Sequence, residues 1–542
     1  NPKSIAIPDG AKKEALESRA MREQTAELLA GMGFKAPASN ALLVAPKESA
    51  TGNPLEIGAP QVGYANPAFF MDVDVHAPGV DIRGPAVPGA SALVPLGRGP
   101  DYGWTLTTGY SDAVDVRAEK LCNPDGKGKV TRQSTGYLFK GKCRKMESRD
   151  EEFLVKPSPA DPGAPSIESR TFYRTVHGPV FKRSKVGGEP VAFVKERFFW
   201  KRELDSIPSF YKWNVDASSL SDFRNAARDF TMSFNSFYAN HKHIGYFHVG
   251  MYPRRTPGVH PALPVWGTGR WEWKGRIPFS SHPKTVDPAQ GWVANWNNKP
   301  AAAWDNFDAP KWGPIHRVEL LADKMKRLTK GRAKLELSDI VDVIRKVATQ
   351  DTRGLYLGPK MVRAAGGLAK AGSEKGAVAL VKGWIEAGAH RANENDDDDM
   401  DAGAAVAIFD TWYSALVHKV FDDELGKDGY RLLPAPVFDH DMWFDFSSYL
   451  KNVFDDRARK RLARNYCDNI ETKGRESCAK VIFAALQDAL AELKKEQGED
   501  MSAWTVPAEW IRFSNQGAGS VPAIPWQNRG THNHVIEILR NS

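Results

Sequence analysis

Hydrophobic residues follow two different patterns along the chain, and the change falls near residue 316. From residue 39 to about 300, short apolar or alternating runs such as ALLVA, HIGYFHVG and GWVANW are separated by Gly, Pro and Asn. Runs of this length with such boundaries are typical of β-strands. From about 316 the apolar residues recur every three or four positions, as in SDIVDVIRKVA, which predicts amphipathic helices. A further helix is predicted near 479–495, with one apolar face made of Ile482, Leu486, Ala489, Leu490 and Leu493.

The first 38 residues differ from the strand-rich region that follows them. Residues 11–33 are rich in charged residues and helix formers and end in glycines, which predicts a helix before the short linker KAPA. We therefore expect a peripheral arm in front of the first apolar run, which begins directly after Ser39 and Asn40.

Size, composition and charge narrow the class of protein. The chain has 542 residues, of which 42% are apolar and 26% charged, as is usual for a large globular protein. The net charge is +8, but Lys and Arg are spread among 66 acidic residues, and no arginine-rich arm or finger spacing occurs. No apolar run reaches the roughly 18 residues of a membrane span. We predict neither a nucleic-acid partner nor a membrane segment.

The four cysteines form two pairs that are close in the sequence, Cys122 with Cys143 and Cys467 with Cys478. Neither pair has the spacing of a zinc site. Each pair lies in a polar, loop-like stretch, where a disulfide would close a local loop. Two disulfides would indicate a secreted or periplasmic protein, and four separate thiols are the alternative.

An acidic run, NENDDDDMD at 393–401, is a candidate cation site. It lacks the central glycine and the distal glutamate of an EF-hand loop. Clustered acidic residues more often form a solvated loop, so both interpretations of Asp396–Asp401 stay open.

Several common catalytic motifs are missing from the sequence, which has no GxSxG, HExxH or P-loop string. What remains is a series of nine strings rich in Asn, Trp and Gly. The strings are SNALLVAP (39–46), GAPQVGY (58–64), PGVDIRGPAVPG (78–89), YGWTLTTGYSDAVDVRAEKL (102–121), RTVHGPV (174–180), HIGYFHVGMYPRR (243–255), LPVWGTGRWEWKGRIPF (263–279), GWVANWNN (291–298) and QNRGT (527–531). In their order and spacing they resemble the penicillin acylase family of N-terminal-nucleophile hydrolases.

The resemblance implies an α+β fold, a four-layer αββα sandwich with a helical insertion at about 316–500. Residues 1–38 would correspond to the spacer peptide of a precursor, and residues 39–542 to a β subunit. The resemblance also implies a heterodimer with an α subunit cut from the same precursor, which would complete the substrate pocket.

The implied activity is hydrolysis of an N-acyl amide through an acyl-enzyme on Ser39. A serine hydroxyl is a weak nucleophile without a base, and in this family the base is the α-amino group of the same serine, whose ordinary pKa is near 8. That amine exists only after the precursor has cut itself between Ala38 and Ser39. The resemblance assigns the remaining catalytic roles to Gln61, Thr108, Asn297 and Arg317. Taken singly, each of these residues could equally be a turn, cap or salt-bridge residue.

Within that set, the side-chain amide of Asn297 and the backbone N–H of Thr108 would hold the oxyanion. Gln61 would contact the amine and the substrate through its backbone, and Arg317 would orient the amine and Asn297. The acyl side chain would contact Val62, Leu96, Phe210 and Phe234. These four are apolar, so we expect an apolar acyl group, although the same residues could be ordinary core.

One structural calcium ion is also implied by the resemblance. Its ligands would be the carbonyl oxygens of Val114 and Pro261 and the side chains of Asp112, Asp115 and Asp308. Carboxylates and carbonyls are the ligands that calcium prefers. The alternative is that these aspartates only cap turns.

Three questions about function stay open from the sequence. The acyl group could belong to a β-lactam antibiotic side chain, to another small apolar amide or to an N-acyl-homoserine lactone. The chain could instead be a non-catalytic binding scaffold or an unprocessed precursor on the same fold. Its basic, Trp-rich composition also suggests a glycan- or polyanion-binding protein.

Overall fold

The computed structural model describes residues 3–11, 38–89, 93–156, 163–304, 315–331, 334–370, 372–432, 446–472, 474–515 and 519–539. The predicted helix at 11–33 lies outside these ranges except for its first residue. The expected calcium ligand Asp308 also lies outside the described residues.

Strands dominate the first 300 residues, in agreement with the short apolar runs of that region. They are β1 (Ala38–Val44), β2 (Leu55–Gln61), β3 (Ala65–Asn66), β4 (Met71–Ala77), β5 (Val80–Ala86), β6 (Gly97–Arg98), β7 (Tyr102–Thr108), β8 (Val114–Cys122), β9 (Gly136–Phe139), β10 (Lys142–Lys145), β11 (Glu147–Val155), β12 (Ser166–Arg174), β13 (Val180–Val186), β14 (Glu189–Arg197), β15 (Phe234–Asn240), β16 (Ile244–Val249), β17 (Val265–Trp266), β18 (Lys284–Val286), β19 (Trp292–Asn295), β20 (Trp510–Ile511), β21 (Ser514–Asn515), β22 (Ile524–Pro525) and β23 (His534–Glu537).

Most helices follow residue 317. They are α1 (Ile207–Val215), α2 (Leu220–Ala227), α3 (Val318–Lys330), α4 (Leu337–Val347), α5 (Thr352–Tyr356), α6 (Gly358–Gly366), α7 (Ser373–Glu386), α8 (Gly403–Leu432), α9 (Ser447–Phe454), α10 (Asp456–Arg459) and α11 (Cys478–Gln497). Within α8 the backbone is not helical at Gly426. None of the described helices combines the length and apolarity that a membrane span requires.

Two antiparallel sheets form the centre of the fold. One has the strand order β19-β1-β2-β23, and the other has the order β18-β16-β15-β7-β6-β5-β4. The first sheet explains the unbroken apolar run after Ser39. Ala41, Leu43 and Ala45 pack between the two sheets, whereas Leu42 and Val44 point to the opposite side. Both faces of β1 are therefore buried, which favours a continuous apolar strand over an alternating one.

A helical layer covers the outer face of each of these sheets. Helices α3 and α4 pack on the four-stranded sheet, where Leu320, Leu321 and Ile340 contact the core that contains Leu42. Helices α1 and α2 pack on the seven-stranded sheet through Trp213, Phe223 and neighbouring aromatic residues. The order helix, sheet, sheet, helix is the predicted αββα sandwich, and the α+β class is confirmed.

A third sheet lies beside the sandwich, with the order β10-β9-β8-β14-β13 and β17 paired in parallel with β8. Residues 3–11 attach to it. Ser4 and Ala6 are buried, and Ile5 forms a bridge with Val265. The carboxylate of Asp9 accepts hydrogen bonds from the backbone N–H groups of Gly187 and Gly188. This part of the first 38 residues is thus packed against the body of the fold.

The helices after residue 350 have a core of their own. It joins α6 to α9 and α11 through Trp384, Phe409 and Trp412, among other buried side chains. In α11 the side chain of Ser477 caps the first turn, as serine commonly does at a helix N-terminus. The five apolar residues predicted to share one face of α11 are all buried.

Both cysteine pairs are disulfide-bonded. Cys122 is bonded to Cys143 and Cys467 to Cys478. The first bridge ties the end of β8 to β10, and the second closes the loop before α11. The predicted pairing is confirmed.

Candidate active site

Ser39 lies at the beginning of β1, in the four-stranded sheet. It is buried, with 6% of its surface exposed, and is paired in the sheet with Pro60 of β2. Because side chains alternate along a strand, Ser39 is on the same face as Ala41 and Leu43, which points toward the seven-stranded sheet. Its hydroxyl therefore faces the end of β7, where Thr108 lies.

Asn297 is the centre of the hydrogen-bond network around Ser39. Its Oδ1 accepts from the backbone nitrogen of Ser39 at 2.8 Å and from Nη2 of Arg317 at 3.0 Å. Its Nδ2 donates to the carbonyl oxygen of Thr108 at 2.9 Å. Asn297 is fully buried and adopts a left-handed φ of 59°. Asparagine tolerates that conformation better than most residues, and such backbone outliers concentrate at functional sites.

Arg317 is buried at the N-terminus of α3. Besides binding Asn297, it contacts the carbonyl oxygen of Trp296 and lies over the indole ring of that residue, 5.0 Å from its centroid. Burial and the positive charge of Arg317 lower the pKa of the neighbouring His316 to about 3. His316 is therefore neutral.

Gln61 connects two loops that border the site. Its Oε1 accepts from the indole N–H of Trp296 at 2.9 Å, and its Nε2 donates to Asn528 at 2.8 Å and to the carbonyl oxygen of Arg529. Thr531 continues this contact, because its backbone N–H donates to the carbonyl oxygen of Pro60. The Gln61 side chain thus connects the strings GWVANWNN and QNRGT, and the backbone of Thr531 adds a second contact of QNRGT with β2.

A second group of buried polar residues is hydrogen-bonded to Thr107 and Thr108. Asn235 of β15 donates to the Thr107 hydroxyl and to the Thr108 carbonyl oxygen. Asn235 also accepts at 2.9 Å from Nδ1 of His248, whose Nε2 is 2.6 Å from the Ser111 hydroxyl. Complete burial and, to a smaller extent, the charge of His282 lower the pKa of His248 to about 3. This ring is therefore neutral. Our sequence analysis did not select these residues, although the quoted strings contain Thr107, Ser111 and His248.

The four residues expected to contact the acyl group are only partly brought together. Phe210 and Phe234 both contact Phe230, with ring centroids 4.8 and 6.4 Å apart. Phe234 is also directly opposite Thr108 in the pairing of β15 with β7. Val62 follows Gln61 at the end of β2, and its N–H donates to the Thr531 hydroxyl. Leu96 is buried just before β6.

The expected calcium ligands lie at the start of β8. Asp112 and Asp115 are buried, and Val114 and Pro261 line one cavity. Arg255 binds both carboxylates, with Nη2 3.1 Å from Asp112 and 2.8 Å from Asp115. The donor atoms are all oxygens, the set that calcium prefers. A second arginine, Arg117, also lies 3.9 Å from the Asp115 carboxylate. The calcium expectation thus has a suitable set of donors but also competing cations.

The acidic run at 393–401 forms hydrogen bonds within itself. Asn393 and Asp397 bond to one another, and the carboxylate of Asp401 accepts from the backbone of Glu394 and the side chain of Asn395. Its aspartates 396–399 are exposed. These contacts agree with a solvated loop.

The sandwich fold and the Ser39 site define the class to which this chain belongs. The Penicillin amidase family profile matches residues 6–537, so the chain is a member of that family. Penicillin G acylase from Escherichia coli is 27% identical over 520 residues, which cover 92% of this chain and 57% of that protein. Acyl-homoserine lactone acylase QuiP from Pseudomonas syringae pv. syringae (strain B728a) is 23% identical, covering 86% of this chain and 53% of that protein.

A solved structure supports the same assignment. A thermostable penicillin G acylase from Alcaligenes faecalis has a TM-score of 0.76 and 26% sequence identity, covering 92% of this chain and 87% of that one. The chain spans about half the length of the curated relatives it matches.

Proposed function

We propose that this chain is the nucleophile-bearing subunit of an acylase that hydrolyses N-acyl amide bonds. The main support for the proposal is the position of Asn297. Its Oδ1 accepts hydrogen bonds from both the Ser39 nitrogen and the Arg317 guanidinium. One buried amide oxygen thereby fixes the future amine next to a group that could polarise it.

Maturation would begin with attack of the Ser39 hydroxyl oxygen on the carbonyl carbon of Ala38. The peptide C–N bond breaks, an ester forms between Ala38 and the serine oxygen, and the hydroxyl proton moves to the released amine. Water then hydrolyses the ester, which leaves a carboxylate on Ala38 and restores the hydroxyl of Ser39. Asn297 is already hydrogen-bonded to the nitrogen that becomes the amine.

In the mature enzyme that amine would act as the general base for its own hydroxyl. A base must be neutral to accept a proton, and a nearby positive charge lowers the pKa of an amine. Arg317 binds the same Oδ1 atom as the Ser39 nitrogen, so its charge is close enough to have this effect. We therefore expect the amine to be unprotonated at neutral pH.

The developing oxyanion would be held by the Asn297 amide and the backbone N–H of Thr108. An amide nitrogen carries two hydrogens, and Asn297 donates one of them to the Thr108 carbonyl oxygen. The second can reach a substrate oxygen beside Ser39. Loss of one oxyanion donor typically costs about 3–4 kcal/mol of activation free energy.

The acyl group of the substrate is expected to be apolar and aromatic or aliphatic, because Phe234 adjoins Thr108 and packs with Phe230. Relatives of the chain are named for penicillin and for acyl-homoserine lactones, and both are amides with an apolar acyl chain. A panel of chromogenic amides with phenylacetyl and with short and long aliphatic groups would separate these substrate classes.

An α subunit from the same precursor is the expected partner in a heterodimer, since the chain covers 57% of its Escherichia coli relative. A secreted or periplasmic location is supported by the two disulfides, which persist mainly in oxidising compartments. Both statements are proposals that co-purification and cell fractionation would test.

Calcium binding at Asp112 and Asp115 is a further part of the proposal. The carbonyl oxygens of Val114 and Pro261, together with Asp308, would complete the ligands of a structural ion. Supporting it, the two carboxylates are buried side by side and can both offer oxygen ligands, although Arg255 contacts both and Arg117 lies 3.9 Å from Asp115. Calcium should then raise the melting temperature of the protein but not that of an Asp112→Asn variant. An equal response of both proteins, or none, would show that the arginines at the site take the place of calcium.

The decisive experiment replaces the nucleophile. We expect Ser39→Ala to abolish both cleavage after Ala38 and hydrolysis of chromogenic amides by the complete precursor. The exposed Ser148 offers a matched control, because Ser148→Ala should be processed and active. Normal cleavage of the Ser39→Ala precursor, detected by N-terminal sequencing, would refute the mechanism. Cleavage without activity on any amide would favour the non-catalytic scaffold.

A further inference from the structure

Three of the nine strings meet at a second polar cluster in the third sheet. His177 comes from RTVHGPV, Glu119 from the end of YGWTLTTGYSDAVDVRAEKL and Glu272 from LPVWGTGRWEWKGRIPF. Glu196 of β14 joins them. None of these residues lies in the four-stranded sheet that contains Ser39. The proposed acylase mechanism therefore does not account for the cluster.

His177, Glu196 and Glu272 have the geometry of a metal-binding group. One ligand atom from each lies within 4.8 Å of the other two. His177 Nε2 is 3.1 and 3.2 Å from the two carboxylate oxygens of Glu272. Both His177 and Glu196 are largely buried, whereas the Glu272 side chain is 34% exposed. An ion could therefore enter from the side of Glu272.

Glu119 orients the imidazole of His177, as carboxylates hydrogen-bonded to metal-binding histidines do in metalloproteins. Its Oε1 is 2.6 Å from His177 Nδ1 and also accepts from the Thr175 hydroxyl. A carboxylate on Nδ1 directs the lone pair of the neutral ring to Nε2 and makes that nitrogen a better ligand. Glu119 is fully buried, and its Oε2 has no hydrogen-bond partner among the described residues. A glycine at 267 makes room for it, because a Cβ there would lie 2.3 Å from Oε2.

The cluster has an excess of negative charge that a bound cation would balance. Three carboxylates lie near the guanidinium of Arg117, which binds Glu196 and is shared with Asp115 at 3.9 Å. With a neutral imidazole the group carries two negative charges, which one divalent ion would balance.

We propose that His177, Glu196 and Glu272 bind one divalent transition-metal ion of the Zn²⁺ type, with Glu119 as the positioning residue. An imidazole ligand favours Zn²⁺ or Co²⁺ over Ca²⁺, which prefers oxygen alone. The ion takes the place of the proton on His177 Nε2. It links the loop after β12, strand β14 and the loop at 267–275, and so stabilises the third sheet.

Co²⁺ is the most direct probe, because its visible absorption reports the ligands. We expect the full chain, freed of metal with a chelator, to bind one Co²⁺ at this cluster with an absorption band that Zn²⁺ abolishes. Glu272→Gln should weaken this binding at least tenfold, and Glu119→Gln should weaken it by roughly 10–100-fold. The partly exposed Glu272 is the safer substitution, since it leaves the buried Glu119–His177 pair in place.

Glu189→Gln, at the exposed first residue of β14, is the matched control and should bind Co²⁺ like the wild type. Zn²⁺ should also raise the melting temperature of the wild type and of this control, but not that of Glu272→Gln. Equal affinity in Glu272→Gln and wild type would overturn the proposal. So would displacement of Co²⁺ by Ca²⁺ in hundredfold excess. Neither readout depends on amidase activity, so failure here is distinct from failure of the proposed function.

Discussion

The surroundings of Ser39 and the core of the helical region both bury arginine, but they use it differently. In the helical region Arg353 and Arg391 bind the carboxylates of Asp351 and Asp410, so opposite charges neutralise one another. Beside Ser39, Arg317 binds the amide oxygen of Asn297 instead. An amide leaves the positive charge of its partner largely in place. The first arrangement holds helices together, and the second leaves a positive charge close to the Ser39 nitrogen.

The largest effect should come from Asp351, which accepts hydrogen bonds from Arg353 and caps α5. Removing one member of a buried ion group leaves its partners with uncompensated charge and typically costs about 3–5 kcal/mol. We expect Asp351→Asn to lower the free energy of unfolding by that amount in urea titrations. Amidase activity per folded molecule of the mature enzyme should stay unchanged. The exposed Asp396→Asn is the control, with a change within about 0.5 kcal/mol.

The same ion group predicts an acid-sensitive helical region. Burial would raise the pKa of Asp351, but Arg353 and Arg391 outweigh burial and hold it well below its usual range. The pKa of Asp410 is lowered for the same reason. A depressed native pKa contributes stability above the ordinary carboxyl value near 4, and this contribution is lost as the pH falls below it. Melting temperatures between pH 2 and 6 should therefore fall more steeply for the wild type than for Asp351→Asn.

Asn297 provides the complementary test in the sheet region. We expect Asn297→Ala to reduce kcat for a chromogenic amide by about 10²–10³-fold, the usual effect of losing an oxyanion donor. The loss in unfolding free energy should be smaller than for Asp351→Asn. If Asn297→Ala kept more than a tenth of the activity, the contrast between the two regions would fail.

Sequence patterns identified the elements of the molecule better than their contacts. The apolar strand β1, the apolar face of α11 and the two disulfides were predicted from local stretches of the sequence. The partner of Asp115 could not be predicted in this way, because Arg255 lies 140 positions further along the chain. Periodicity shows which face of an element is buried but not which distant charge covers it.

The same limit applies to the second polar cluster and to the start of the chain. His177 and Glu272 are 95 positions apart, and the strings that contain them resemble a family without revealing that they meet. Residues 3–11 were expected to form part of a peripheral segment, yet Ser4 and Ala6 are fully buried against the third sheet. The contact is made by a few small side chains and by backbone hydrogen bonds. Hydrophobic patterning therefore did not predict it.

That contact leads to the smallest predicted effect. If the chain is cut after Ala38, the 38-residue peptide should stay bound, since the backbone of Ala6 pairs with Pro264 and Asp9 binds the turn between β13 and β14. The peptide should then co-elute with the cleaved protein in gel filtration and appear in its mass spectrum. Asp9→Ala should weaken retention by about 1 kcal/mol, because the lost hydrogen bonds are exposed to solvent. Asp398→Ala, an exposed aspartate outside this contact, should have no effect. Complete loss of the peptide from the cleaved wild type would mean that the third sheet does not need residues 3–11.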